Sequence, residues 1–411
     1  MSNSPRASVR RINWDVLRVL AVFSVLLQHA THAGPLVHPE LGRPLFTFPL
    51  EMGASGLVVM SAYFACASLA KGEPVRFLRN RLSRLLPAYV VAATFTFGVL
   101  RWIAPEGWSQ LEFRDLVMNV FMLQNWIPDV RLVDFSYWTL PVQITGFVAG
   151  AFLCSRLRGP WLRVLLWTLV FGPLVMRVWT TDPGVVRTLY DGLGVHRAQL
   201  FAIGIGIWLW SKGRLGNGHL GALLVCALGA QAVHSSDLES TLGLGVLLLG
   251  YCAAASGPDW NVQPIRAIAK PIKWLAGISY GVYLVHQEVG YVVMLYLARL
   301  GLGPVVQLVG FFGTAVVLGW LLTRFVERPI HTWLTAESRG PELVRLVLAA
   351  RLLAPRFTGG AAAQSQLGSF GTSPLNRVPS WRPVSHPSTS AASPLMVTEL
   401  SVPAVFNSQL R

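Results

Sequence analysis

Ten stretches of apolar sequence, almost free of charge, recur along this chain and leave it few ways to fold. They run roughly over 14–33, 52–70, 86–104, 137–155, 161–178, 195–211, 218–234, 240–256, 273–298 and 303–326. A helix rises 1.5 Å per residue, so about 20 apolar residues cross a bilayer, and only helices or closed barrels satisfy their backbone groups there. Apolar residues make up 53% of the 411 and charged residues only 13%, which is about half the charged share of a soluble domain. The expected fold is all-α: a polytopic membrane helix bundle with about ten transmembrane helices. The stretch 111–126 is amphipathic and interrupted by charge, so it reads as an interfacial or re-entrant helix rather than a crossing.

Loop charges give the bundle a direction. Arg6, Arg10 and Arg11 precede the first segment, and Lys71, Arg76, Arg79, Arg81 and Arg84 follow the second. Arg156, Arg158 and Arg163 follow the fourth, Lys212 and Arg214 the sixth, and Arg266, Lys270 and Lys273 the eighth. The intervening loops carry most of the acids, including Glu40, Glu51, Asp134, Asp191 and Asp237. This alternation predicts both termini on the cytoplasmic side of the plasma or bacterial inner membrane. A cleaved signal peptide is the competing reading of the first segment, and Asp15 and Arg18 inside its apolar run argue against it.

The net charge of +15 belongs to these flanking arginines and not to a nucleic-acid-binding motif. Cys66, Cys154, Cys226 and Cys252 lie singly, without the spacing of a disulfide framework or a metal site. The expected organisation is a cytoplasmic segment at 1–12, a membrane domain at 13–330, an amphipathic cytoplasmic helix at 331–356 and a disordered Ser/Pro/Ala/Gly-rich tail at 357–411.

Within the first segment, Arg18 and His29 are eleven residues apart. That is three helical turns plus about 20°, so both share one face, about 16 Å apart along the axis. Ionisable groups inside a spanning helix are costly and usually face a functional interior. The predicted topology puts Arg18 near the cytoplasm and His29 in the outer half. His286 falls at comparable depth in the ninth segment, where Ser279, Tyr283 and His286 form a polar stripe. Trp138 and Gln143 lie near the same interface in the fourth. At the cytoplasmic end Arg18, Arg81 and Arg84 form a cationic group suited to phosphates. A ligand with phosphates there and a reactive end about 16 Å deeper would span the Arg18 to His29 distance; acyl-CoA has that shape.

Six motifs in order give this chain a resemblance to the acyltransferase 3 family of integral membrane O-acyltransferases. DVLRVLAVFSVLLQH (15–29) resembles its first-helix pattern of a basic residue, ten residues and a histidine. MGASGLVVMSAYF keeps Ser61 of the second helix, and FLRNRLSRLLPAY is similar to its arginine-rich approach to the third, with Pro87 placed at a first helical turn. WTLPVQ (138–143) resembles the family's WSLSVE, ISYGVYLVH its ISYSLYLxH, and FVERPI its terminal EKP motif. Gln143 stands where the family usually has glutamate, and Val16 and Ala62 replace glycines.

The resemblance implies transfer of an acyl group, acetyl first among them, from cytoplasmic acyl-CoA to a hydroxyl of a carbohydrate, glycolipid or similar acceptor. It implies catalytic roles for His29 and His286, and substrate binding by Arg18, Arg81, Arg84, Ser61, Trp138, Gln143 and Tyr283. No bound cofactor or metal is expected, and acyl-CoA is a cosubstrate. The alternative is a proton-coupled transporter or exporter that uses His29 and His286 as relay residues.

Overall fold

The computed structural model describes residues 11–153, 159–181 and 184–336, and no strand occurs among them. Most of the predicted 331–356 helix and the whole 357–411 tail lie outside the described residues, as do residues 1–10 of the predicted N-terminal segment.

A helix occupies each of the ten predicted segments. The chain opens with α1 (Ile12–Gln28), a π-helical turn (His29–Ala33) and the short α2 (Gly34–Val37), then α3 (Met52–Leu69) and α4 (Pro74–Trp102). Next come α5 (Phe113–Val120), a 3-10 turn (Phe135–Trp138), α6 (Thr139–Leu153), α7 (Pro160–Arg177) and α8 (Val185–Gly192). A second 3-10 turn (Val195–Arg197) leads into α9 (Ala198–Ser211), followed by α10 (Asn217–Ser235) and α11 (Leu238–Ser256). The last part holds α12 (Gln263–Ala267), α13 (Ala269–Val285), α14 (Gln287–Arg299), α15 (Pro304–Leu322), a π-helical turn (Thr323–Glu327) and α16 (Arg328–Ala336).

Among the described residues, five helical stretches are long and apolar enough to cross a membrane: Ile12–Val37, Met52–Leu69, Pro74–Trp102, Leu238–Ser256 and Pro304–Ala336. A sixth qualifies if Val185–Gly192 and Val195–Ser211, bent by 45°, count together. The segment at 111–126 contains only the eight-residue α5, which at about 12 Å is too short to cross. It is instead tied down locally: Glu112 and Asp115 form a capping box, and Tyr89 donates to the Asn119 carbonyl at 2.6 Å.

Helix starts follow local chemistry. Pro74, Pro160 and Pro304 each stand in a first turn, where a missing N–H costs nothing. Asp237 caps α11 by accepting from the Ser240 N–H at 2.9 Å. The third predicted segment needs correction here: α4 starts at Pro74, so Pro87 lies inside it rather than in its first turn. RNRLSRLL is rich in good helix formers and carries the helix through.

The helices meet through small residues, the usual means of close approach where lipid removes the hydrophobic gain of association. A Cβ at Gly53 would sit 2.3 Å from the Ala21 carbonyl, one at Gly204 2.4 Å from the Val59 carbonyl, and one at Gly319 2.5 Å from the Val282 nitrogen. These contacts join α1 to α3, α3 to α9 and α13 to α15. Gly319→Val is therefore expected to destabilise the protein by about 1–3 kcal/mol through overpacking. Gly313→Val, on the same helix but facing open space, should be near neutral. Thermal melting of the two variants side by side checks this.

Candidate active site

α1 and α13 pack side by side and run in the same direction. α1 passes from a cationic cavity at its N-terminal end, and α13 from the same cavity at its middle, to a histidine at the C-terminal end of each. The cavity, about 680 Å³, is lined on α1 by Trp14, Asp15 and Arg18 and on α13 by Ala276 and Gly277. Arg11, Phe64, Arg84, Glu327, Arg328 and His331 complete it. Four guanidinium groups face two carboxylates, so the cavity is net cationic. Arg84 donates to Glu327 at 2.6 Å, and Thr323 donates to the other Glu327 oxygen at 3.2 Å. Glu327 thus pairs with α4 rather than with its sequence neighbour Arg328.

Of the three arginines expected to form one phosphate-binding group, the cavity brings together Arg18 and Arg84. Arg81 does not line it. Its guanidinium lies over Phe77 at 5.6 Å and over Phe147 at 5.3 Å, because three residues along a helix turn the side chain about 300° and so toward the adjoining face.

At the other end the rings of His29 and His286 stand 4.9 Å apart. Each interrupts its helix: His29 opens the π-helical turn, and His286 separates α13 from α14 within what the sequence presents as one segment. Such turns are frequent at functional sites, since they re-aim a side chain without ending the helix. His286 is fully buried, and its Nδ1 faces the Tyr283 carbonyl at 2.8 Å. Two nitrogens, Nε2 of His286 and Nδ1 of His29, are buried without a hydrogen-bond partner.

The segment before α6 clamps this pair from one side. Tyr283 donates to the Ser136 carbonyl at 2.8 Å and accepts from Thr139 at 3.1 Å. Tyr137 donates to the Leu284 carbonyl at 2.9 Å. Asp134 accepts from the Ser136 N–H and hydroxyl and, through Oδ2, from the Glu288 N–H at 3.3 Å. Burial pushes the Asp134 carboxyl up from its ordinary range, and the Ser136 donors pull it back.

Tyr283 therefore touches the 136–139 turn, next to the histidines. Ser61 and Gln143 are bound to each other: Ser61 donates to the Gln143 oxygen at 2.8 Å, linking α3 to α6. Trp138 lies under the Arg197 guanidinium at 4.6 Å. Arg197, Glu51, Asp134 and Thr139 are neighbours of the expected site that sequence reasoning did not single out. Arg197 had one usable signal, a basic residue at the head of a segment on the predominantly acidic side. Glu51 accepts from Gln28, the residue before His29, at 3.4 Å. Burial raises its carboxyl and nearby Arg197 lowers it.

Against known proteins, the model of an acyltransferase domain, the acyltransferase 3 family, matches residues 11–324. The chain is also 26% identical over 376 residues, 84% of its own length and 88% of the relative's, to BcsY of Komagataeibacter xylinus, whose name describes a proposed membrane-bound transacylase. No solved structure gives a significant match.

Proposed function

The chain belongs to the acyltransferase 3 family and is a membrane acyltransferase; from that premise we propose that it moves an acyl group, acetyl foremost, from acyl-CoA to a hydroxyl of a carbohydrate, glycolipid or similar acceptor. The observation that carries this reading is the pair of parallel helices joining a cationic cavity to two facing histidines. Arg18 and His29 are about 16 Å apart along α1, and Gly277 and His286 are comparably separated along α13. Phosphates of the donor belong among Arg11, Arg18, Arg84 and Arg328, and the pantetheine arm would run along the two helices to the histidines. With ten crossings and both termini cytoplasmic, that cavity opens where acyl-CoA is made.

Neutral imidazole is suited to take a proton at working pH. In the reaction the His29 ring accepts the acceptor's hydroxyl proton as the new O–C bond forms at the acyl carbonyl. The C–S bond then breaks, and the proton passes to the departing thiolate, leaving an ester and free coenzyme A. Tyr283 and the 136–139 turn hold His286 against His29, where it can bind the hydroxyl or steady the developing oxyanion.

The test is purified protein in nanodiscs given acetyl-CoA labelled in the acetyl group and a cell-envelope glycan and lipid extract. Label is expected in a base-labile ester together with stoichiometric coenzyme A release. Label that stays on coenzyme A, or leaves only as free acetate, would overturn the reading.

A further inference from the structure

A second cationic group lies toward the histidine end of α1, opposite the arginine cavity, and is linked to that end through Glu51 and Gln28. Arg197 closes the turn before α9, and its guanidinium rests on the face of Trp138 at 4.6 Å. Its Nε is buried without a hydrogen-bond partner, and among the described residues no carboxylate lies within ion-pair distance, 4.0 Å, of it. Glu51 is near enough to be felt electrostatically, but the contact it makes is with Gln28. Nδ1 of His196 and Nε2 of His234 are likewise buried and unpartnered, and both imidazoles lie within electrostatic reach of Arg197.

Leaving a shielded guanidinium with no contact partner and only the more distant Glu51 to balance it is costly, and a ligand that completes it reduces the cost. Guanidinium presents a planar fork that matches carboxylate and phosphate oxygens two at a time. The aromatic platform below holds that fork in one orientation. Trp138 precedes Thr139, whose hydroxyl bonds Tyr283 three residues before His286, and Gln28 precedes His29. A group held by Arg197 is therefore placed at the histidine end of α1 and apart from the donor's phosphates.

We infer that Arg197 on Trp138 is the anchor for an anionic group of the hydroxyl acceptor, so that the acceptor is an acidic sugar or a phosphate-bearing one rather than a neutral one. This rests on the acyltransferase reading and narrows its acceptor. Carboxylate and phosphate share the recognition chemistry, and the experiment separates them.

Thermal melting in nanodiscs, with coenzyme A saturating the arginine cavity, is measured with glucose, glucuronate and glucose 1-phosphate added in turn. Glucuronate or glucose 1-phosphate is expected to raise the melting temperature by about 2–4 °C while glucose leaves it unmoved. Whichever of the two gives the larger shift identifies the anion. Arg197→Gln should lose that shift and Arg197→Lys keep part of it, while both retain stabilisation by coenzyme A, which certifies that they are folded. Equal shifts with glucose and the anions, no shift with either anion, or an undiminished anion shift in Arg197→Gln overturns the inference. Failure of coenzyme A itself to stabilise the wild type counts against the donor reading instead, and the two failures are thereby told apart.

Discussion

His29→Ala is expected to lower acyl transfer by about 10²–10⁴-fold, the contribution of a positioned general base, while leaving folding and coenzyme A binding nearly intact. The asymmetry between the two histidines makes this the cleaner of the two substitutions. His29 Nδ1 has no hydrogen bond to lose, and the ring sits at the start of a turn that already departs from the regular helix. His286 is fully buried, donates from Nδ1 to the Tyr283 carbonyl and lies where α13 gives way to α14. His286→Ala should therefore lose stability along with activity. Initial rates at matched protein concentration, read beside the coenzyme A-induced melting shift, check both variants. Full transfer activity in His29→Ala would remove it from the mechanism.

Arg84→Ala is expected to cost about 3 kcal/mol of stability, because it leaves the Glu327 carboxylate uncompensated inside the protein. The Arg84 side chain is 41% exposed and that of Glu327 only 4%, so solvent can rescue the arginine but not the glutamate. Glu327→Gln should accordingly cost less. It also frees the Arg84 guanidinium for a phosphate, so the KM for acyl-CoA should fall. The double variant Arg84→Gln with Glu327→Gln separates the two roles of the pair. It removes both charges together, so melting should recover toward the wild type. Transfer should nevertheless show a KM for acyl-CoA raised about tenfold with kcat little changed, the pattern of lost ground-state binding. A double variant with unchanged KM would take Arg84 out of the donor site.

The residues differ in how far sequence pattern could place them. Arg18 and His29 were legible as a pair because one helix sets both their phase and their spacing. His286 was legible at the same depth for a similar reason. The Arg84–Glu327 contact joins positions 243 residues apart, and no periodicity within either helix could have paired them. Arg81 shows the limit even inside one helix: three residues from Arg84, it faces two phenylalanines, and only the position of α6 with its Phe147 reveals that. Gln143 and Ser61 appeared as separate candidates, and the fold made them one hydrogen bond.

Sequence alone determined that the chain is a helical membrane protein, that helices fall in its apolar stretches, and that one face of the first carries an arginine and a histidine about 16 Å apart. These follow from local quantities: apolar length, helical period and flanking charge. Tertiary structure alone decided that α1 and α13 run in parallel from one cationic cavity to facing imidazoles, that both histidines interrupt their helices, and that Arg197 lies over Trp138. Such relations depend on which helix faces which. That is set by small residues such as Gly204 and Gly319, whose missing side chains let two backbones approach, and by buried bonds between distant turns, neither of which leaves a periodic trace in the sequence.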